Sequence, residues 1–164
     1  MKKISILHLI TAAKNASPFD VNMAFDAGYE KIIPYINVTL NEVVGLTQDA
    51  IFSRSPSGIK QEALFFGGRD IHLALDMQKT ARSAMFTPFE ISTFSDPSGA
   101  FTTAAAMLAK VDAHLRLSQQ TLGQQTIAIF GASGTVGSTA ALIAARQGAT
   151  VYMMAHQTTE AMQT

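Results

Sequence analysis

Ile127-Ala128-Ile129-Phe130-Gly131-Ala132-Ser133-Gly134-Thr135-Val136-Gly137 is the stretch whose reading decides the fold. A short apolar run, read as a strand over 126–130, passes into glycines at every third position and then into an Ala-rich segment, Val136–Gln147, with helical spacing. Gly148 stops that helix, and Ala149–Met154 reads as a second strand, completing one β-α-β unit. In a dinucleotide fingerprint the first glycine serves a tight turn, the second a close approach of backbone to pyrophosphate, and the third close helix-to-strand packing. Free amides at the helix start then meet the negative charge, helped by the helix dipole. Gly131, Ser133, Gly134, Thr135, Val136 and Gly137 are therefore the expected contacts to NAD or NADP, although a purely structural turn can use the same glycines. Cofactor preference is read at the end of the second strand, where NAD sites carry an acid. Here Ala155-His156-Gln157-Thr158-Thr159 has no acid before Glu160, so NADP is allowed, with His156 and Thr158 as candidates for its 2′-phosphate.

Upstream, the polar stretch Gln119–Gln125 marks the expected domain boundary, with residues 1–120 as one domain and 121–164 as the start of a Rossmann-type, doubly wound domain. Such a domain needs more strands than one β-α-β unit, so the chain reads as truncated. Strand and helix also alternate through the first domain, giving an α/β class with crossover helices. Ile4–Ile10 reads as a buried strand, and Ser17-Pro18 as a helix start before Phe19–Ala27 and the stop at Gly28. Lys31–Ile36 is the next strand, and Thr39-Leu40-Asn41-Glu42 fits a capping box opening a helix to about Gln48. Ala50–Ser53, Ala63–Phe66 and Pro88–Phe94 read as further strands. The helices between and after them span Asp70–Met85, with one apolar stripe, and Thr102–Leu117.

Composition narrows the function. Twelve Lys+Arg against twelve Asp+Glu leave formal net charge +0, without the basic excess that phosphate neutralisation along nucleic acid requires. The absence of cysteine removes disulfides, thiolate metal sites and thiol nucleophiles. His8, His72 and His114 are too scattered to suggest a metal site. Lys2-Lys3 before Ile4–Ile10 imitates a signal sequence, but the run is short and interrupted by His8, and no stretch has the length of a membrane span. A soluble cytoplasmic protein is expected, without nucleic-acid or membrane partners. With 48% hydrophobic residues in a chain read as incomplete, association into a homo-oligomer is expected as well.

Three further segments carry a resemblance. Ser17-Pro18-Phe19-Asp20-Val21-Asn22-Met23-Ala24, the run from Leu40-Asn41-Glu42-Val43 to Ile51-Phe52-Ser53-Arg54, and Asp96-Pro97-Ser98-Gly99-Ala100-Phe101-Thr102-Thr103 resemble the NAD(P)-dependent methylene-tetrahydromethanopterin dehydrogenases of methylotrophic bacteria. The likeness runs through this chain but covers only about the N-terminal half of a typical member. It implies a pterin-side domain followed by a nucleotide-binding domain. It also implies hydride transfer from methylene-tetrahydromethanopterin to NAD(P)+, giving the methenyl cation during formaldehyde oxidation. Such chemistry needs neither metal nor flavin, because the pterin ring nitrogens stabilise the developing charge.

Under that resemblance Asp20, Asp96 and Thr102 are the candidate catalytic residues, with Arg54 and Thr103 as substrate-binding ones. Asp20 and Asp96 would hydrogen-bond the pterin amidine edge or stabilise its cationic product, and Arg54 would meet the anionic tail. Each has a plain structural alternative: Asp20 as a helix-dipole partner, Asp96 as a turn former, Thr102 and Thr103 as caps, Arg54 as surface. An inactive remnant or a bare nucleotide-binding module is the competing reading. A tetrahydrofolate dehydrogenase is disfavoured, since neither Tyr29 nor Tyr35 has a lysine four residues downstream.

Overall fold

The apolar run near the N-terminus becomes β1 (Ile6–Ile10), a central strand of a four-stranded parallel sheet in a computed structural model that describes residues 4–155. β2 (Lys31–Tyr35) pairs on one side of it and β3 (Glu62–Phe66) on the other, with β4 (Ser92–Ser95) outermost, in the order β2-β1-β3-β4. Side chains alternate across the sheet, so β1 and β3 bury both faces. Ile10, Leu64 and Phe66 pack on α2 (Val43–Phe52) and α3 (Ile71–Ser83) through Val43, Ile51, Ala74, Met77 and Ala81. Leu7 and Ala63, of opposite parity, pack on Ala24 of α1 (Pro18–Asp26). Full burial of one such large side chain contributes about 1.5–3 kcal/mol, so these two clusters hold the sheet between its helices.

Local signals explain most of the boundaries. Pro18 opens α1, and Gly28 at φ 93° follows its end, although the Ser17 hydroxyl makes no capping bond. The Thr39 capping box forms as expected, with the Thr39 amide donating to Glu42 Oε2 at 2.8 Å across a single 3-10 turn that leads into α2. Asp70 caps α3 by accepting from the Leu73 amide at 2.9 Å. Ala50–Ser53, expected as a strand, instead completes α2 and its exit. Three apolar letters and a serine cannot distinguish a strand from the last turn of a helix, and here Val43, Thr47, Ala50 and Ile51 form the buried helical stripe. The strand expected over Pro88–Phe94 is shorter and later, because Phe86–Phe89 closes a tight turn ahead of β4.

The described chain divides into two compact units, Met1–Ser98 and Gly99–Thr164. The second contains α4 (Ala100–Arg116), β5 (Thr126–Phe130), α5 (Thr135–Arg146) and β6 (Thr150–Met154), with β5 and β6 parallel. The division falls ahead of α4 rather than near residue 120. Ala104 and Leu108 of α4 share a core with Ala140, Ala141 and Ala144 of α5, and the small side chains let the two helices approach closely. The polar stretch read as the domain boundary folds into a 3-10 turn inside this unit, closed by a Thr121–Gln124 capping box. Among the described residues no helix is long and apolar enough to cross a membrane.

Candidate active site

The strand order locates the first region. From β1 the chain turns to α1 on one face, and from β3 it turns to α3 on the other, so the two connections diverge at the C-terminal edge between adjacent strands. Such a switch point is where open α/β sheets bind ligands. Here it brings together Thr11 after β1, Gly67 and Gly68 after β3, Asp96 after β4, and Asp20 from the first turn of α1. Thr11, Gly67, Gly68, Arg69 and Asp70 line a cavity of about 250 Å3. The loops are tied to one another: Ser98 Oγ donates to the Gly68 carbonyl at 2.8 Å, and the Gly67 amide donates to the Ile10 carbonyl at 3.0 Å.

Asp20 is the unusual group. Its residue is 3% exposed, and neither carboxylate oxygen has a hydrogen-bond partner among the described residues. Burial pushes its pKa up to about 6, and the negative charge of Asp96 adds to the rise. The nearby Gly68 amide opposes the shift without reaching hydrogen-bond geometry. An unpaired buried carboxyl of this kind is costly to keep, and perturbed acids of this sort concentrate at functional sites. Asp96, also buried, sits before Pro97 and the left-handed pair Ser98 (φ 55°) and Gly99 (φ 66°).

Arg54 is drawn elsewhere. Its Nε lies 2.9 Å from Glu62 Oε1, and its Nη1 donates to the Ile4 carbonyl at 3.4 Å. Glu62 opens β3, at the other end of the strands from Asp20 and Asp96. The Glu62 side chain is 1% exposed and also meets His8 Nε2 at 3.2 Å, while His8 Nδ1 stands 3.1 Å from the Tyr35 hydroxyl. Burial, then the Glu62 charge, push the Tyr35 hydroxyl pKa up.

In the second unit the glycine turn has the geometry that the spacing predicts. Gly131 adopts φ 69°, Gly134 takes the extended cap position of α5, and its amide donates to the Gly131 carbonyl at 3.0 Å. At Gly137 a Cβ would collide with the Gly131 carbonyl and stand 2.9 Å from Ala132 Cα, so helix and turn touch backbone to backbone. A glycine cap supplies no side-chain acceptor, and no acid occupies the first turn. The amides of Thr135, Val136 and Gly137 thus stand at the positive end of α5 with no carbonyl partner among the described residues. A cavity of about 560 Å3 opens beside them, lined by the turn, by Ile127–Phe130 and by Met107, Leu108 and Val111 of α4. Ser133 is exposed on the turn. Thr102 and Thr103 lie in the first turn of α4, where the Thr102 hydroxyl donates to the Gly99 carbonyl at 3.3 Å and Thr103 is exposed. His156 and Thr158 lie outside the described residues.

Sequence reasoning passed over Thr11 and Gly67. The available signal for both was position, since each directly follows a strand whose successor helix lies on the opposite face of the sheet from the other's.

Residues 18–98 match the family described as methylene-tetrahydromethanopterin dehydrogenase, N-terminal. The chain is 48% identical over 153 residues to the NAD(P)-dependent methylenetetrahydromethanopterin dehydrogenase of Methylorubrum extorquens, an alignment covering 93% of this chain and 52% of that relative. It is also 34% identical over 95 residues to the bifunctional protein MdtA of the same organism, covering 58% of this chain and 33% of that protein. The chain thus spans about half the length of the first relative.

Proposed function

From the match of residues 18–98 to the family described as methylene-tetrahydromethanopterin dehydrogenase, N-terminal, we propose that this chain carries the pterin side and the opening of the nucleotide side of an NAD(P)-dependent oxidoreductase. Its reaction is the oxidation of methylene-tetrahydromethanopterin to the methenyl cation. NAD(P)+, when bound, supplies the hydride acceptor.

The observation that carries the nucleotide half is the turn over 131–137. Its residues fit a dinucleotide: backbone amides aimed at an anion, a glycine cap with no side chain in the way, and a Gly137 that admits no substituent. Gly131, Ser133, Gly134, Thr135, Val136 and Gly137 would cradle the pyrophosphate, making this the start of a Rossmann-type domain. His156 and Thr158 would address a 2′-phosphate.

Asp20 and Asp96 act on the pterin side. Ionised, they accept hydrogen bonds from the amidine N–H edge and favour the product, whose positive charge the substrate lacks. That preference for the charged state lowers the barrier to hydride departure. Thr102 and Thr103 offer hydroxyls for substrate orientation at the start of α4. Arg54, engaged by Glu62, has less to offer the anionic tail.

Calorimetric titration of this chain with NADP+ and NAD+, together with a reduced-nicotinamide absorbance assay on methylene-tetrahydromethanopterin, tests the reading. Binding of both nucleotide and pterin is expected. Nucleotide binding without pterin affinity would reduce the chain to a nucleotide-binding module, and no nucleotide binding would remove the oxidoreductase reading.

A further inference from the structure

We propose that Gly67 is a positioning residue, whose missing side chain provides the space in which the Asp20 carboxyl is held. The inference rests on the reading of Asp20 as a pterin-side group.

Glycine after a strand is ordinarily explained by backbone freedom, and at the neighbouring Gly68 that explanation holds, because φ is 118° and a Cβ would stand 2.9 Å from Thr11 Oγ1. Gly67 is different. Its φ lies outside the left-handed region, and its amide continues the β1–β3 ladder onto the Ile10 carbonyl, a conformation open to any L residue. What forbids a side chain is an acid 47 positions earlier in the sequence. A Cβ on Gly67 would lie 2.5 Å from Asp20 Oδ2, 3.4 Å from its Cγ and 3.2 Å from the Phe65 ring. The direction follows from strand parity, since Ala63 and Phe65 point toward the α1 side and Gly67 continues their row.

The carboxyl is the end of a short side chain, so an alanine would be accommodated by moving the acid rather than by unfolding the sheet. Its cost would fall on where the charge sits. Among the described residues no hydrogen bond anchors either oxygen, so the shape of the space is what defines their place. Gly45 of α2 is the matching control, with nothing within 4 Å of its Cβ position.

Gly67→Ala, Asp20→Asn, their combination, Asp20→Ala/Gly67→Ala and Gly45→Ala are prepared in the full chain. Three quantities are read: the Asp20 carboxyl titration by carbon NMR, affinity for methylene-tetrahydromethanopterin, and the melting temperature. In Gly67→Ala the Asp20 midpoint is expected to move away from about 6, and pterin affinity to fall about tenfold or more, since a displacement on the order of 1 Å suffices for such losses. The alanine should add nothing further to Asp20→Asn, as expected for one coupled unit. Should Gly67→Ala fail to fold, Asp20→Ala/Gly67→Ala restores folding if the clash with the acid is the cause. An unmoved Asp20 midpoint, additive losses, or a double variant that melts no higher than Gly67→Ala overturns the assignment. If Asp20→Asn itself leaves pterin affinity unchanged, the pterin-side reading fails, while the titration still rules on Gly67.

Discussion

Asp20→Asn should make the protein more stable at neutral pH and confer no comparable gain in acid. In the folded chain the carboxyl pKa is raised from 3.8 to about 6 by burial, with Asp96 contributing in the same direction. An unfolded chain restores the ordinary value, so between roughly pH 4 and 6 the folded state holds a proton that the unfolded state has released. Stability from this group is therefore complete below the unfolded pKa and is lost as pH rises through about 6. A difference of about 2 units at ~1.36 kcal/mol each corresponds to a cost of about 3 kcal/mol at pH 7.5, most of which is absent at pH 4. Asparagine has nearly the same shape and cannot ionise. Its own unpaired amide adds a penalty, but one that does not change with pH. The quantity to measure is thus the difference between variant and parent in urea unfolding free energy, followed from pH 4 to pH 7.5. It should shift by about 2–3 kcal/mol in favour of the variant, or about 1–2 M in urea midpoint at an ordinary slope. A variant-to-parent difference that stays flat across that range would show that Asp20 is not a desolvated, unpaired acid, and the argument for a functional carboxyl would go with it.

Other expectations are simpler to state. Gly134→Val places branched methyls where backbone must approach a phosphate, and with several charge-assisted hydrogen bonds lost at about 1.5–3 kcal/mol each, NADP+ affinity should fall a hundredfold or more in calorimetry while the fold persists. Gly137→Ala forces a Cβ against the Gly131 carbonyl and Ala132 Cα, so a melt should report a loss of about 1–3 kcal/mol in the second unit even without nucleotide. Arg54→Met deprives the buried Glu62 of its guanidinium and should cost on the order of 2 kcal/mol in urea unfolding, a figure reduced because Arg54 is partly exposed, with little change in pterin affinity.

What could be read from the sequence was mostly local. The β1 run, the α3 stripe between Asp70 and the end of the helix, the Thr39 capping box and the strand-turn-helix-strand of 126–154 each announce themselves through neighbouring letters, by periodicity, caps and glycine stops. Ala50–Ser53 did not, because its four residues carry no period of their own and take their state from the stripe begun at Val43. The unit boundary was misplaced for a related reason: the polar letters of 119–125 look like a linker until the small-residue contact of α4 on α5 is visible. Asp20, Asp96, Arg54 and the two threonines were singled out, but their partners were not. Nothing in the letters near Arg54 points to a carboxylate at 62, and nothing near Gly67 points to the acid at 20. Such pairings are settled by sheet order and strand parity.

The bridge from Arg54 through Glu62 and His8 to Tyr35 has a bearing on how the sheet finds its alignment. Apart from His8 and Glu62, β1 and β3 are apolar along both faces, so sliding one past the other by two residues keeps every side chain on its proper side, and hydrophobic burial alone discriminates poorly between the two arrangements. A two-residue slide carries Glu62 about 6.6 Å along the strand axis, beyond reach of the imidazole and the guanidinium together. The slipped sheet would then hold a water-excluded carboxylate without a counter-charge, at a cost of several kcal/mol. A polar group that adds little net stability in the native pairing can thus serve as the key that admits one pairing and refuses its near neighbours.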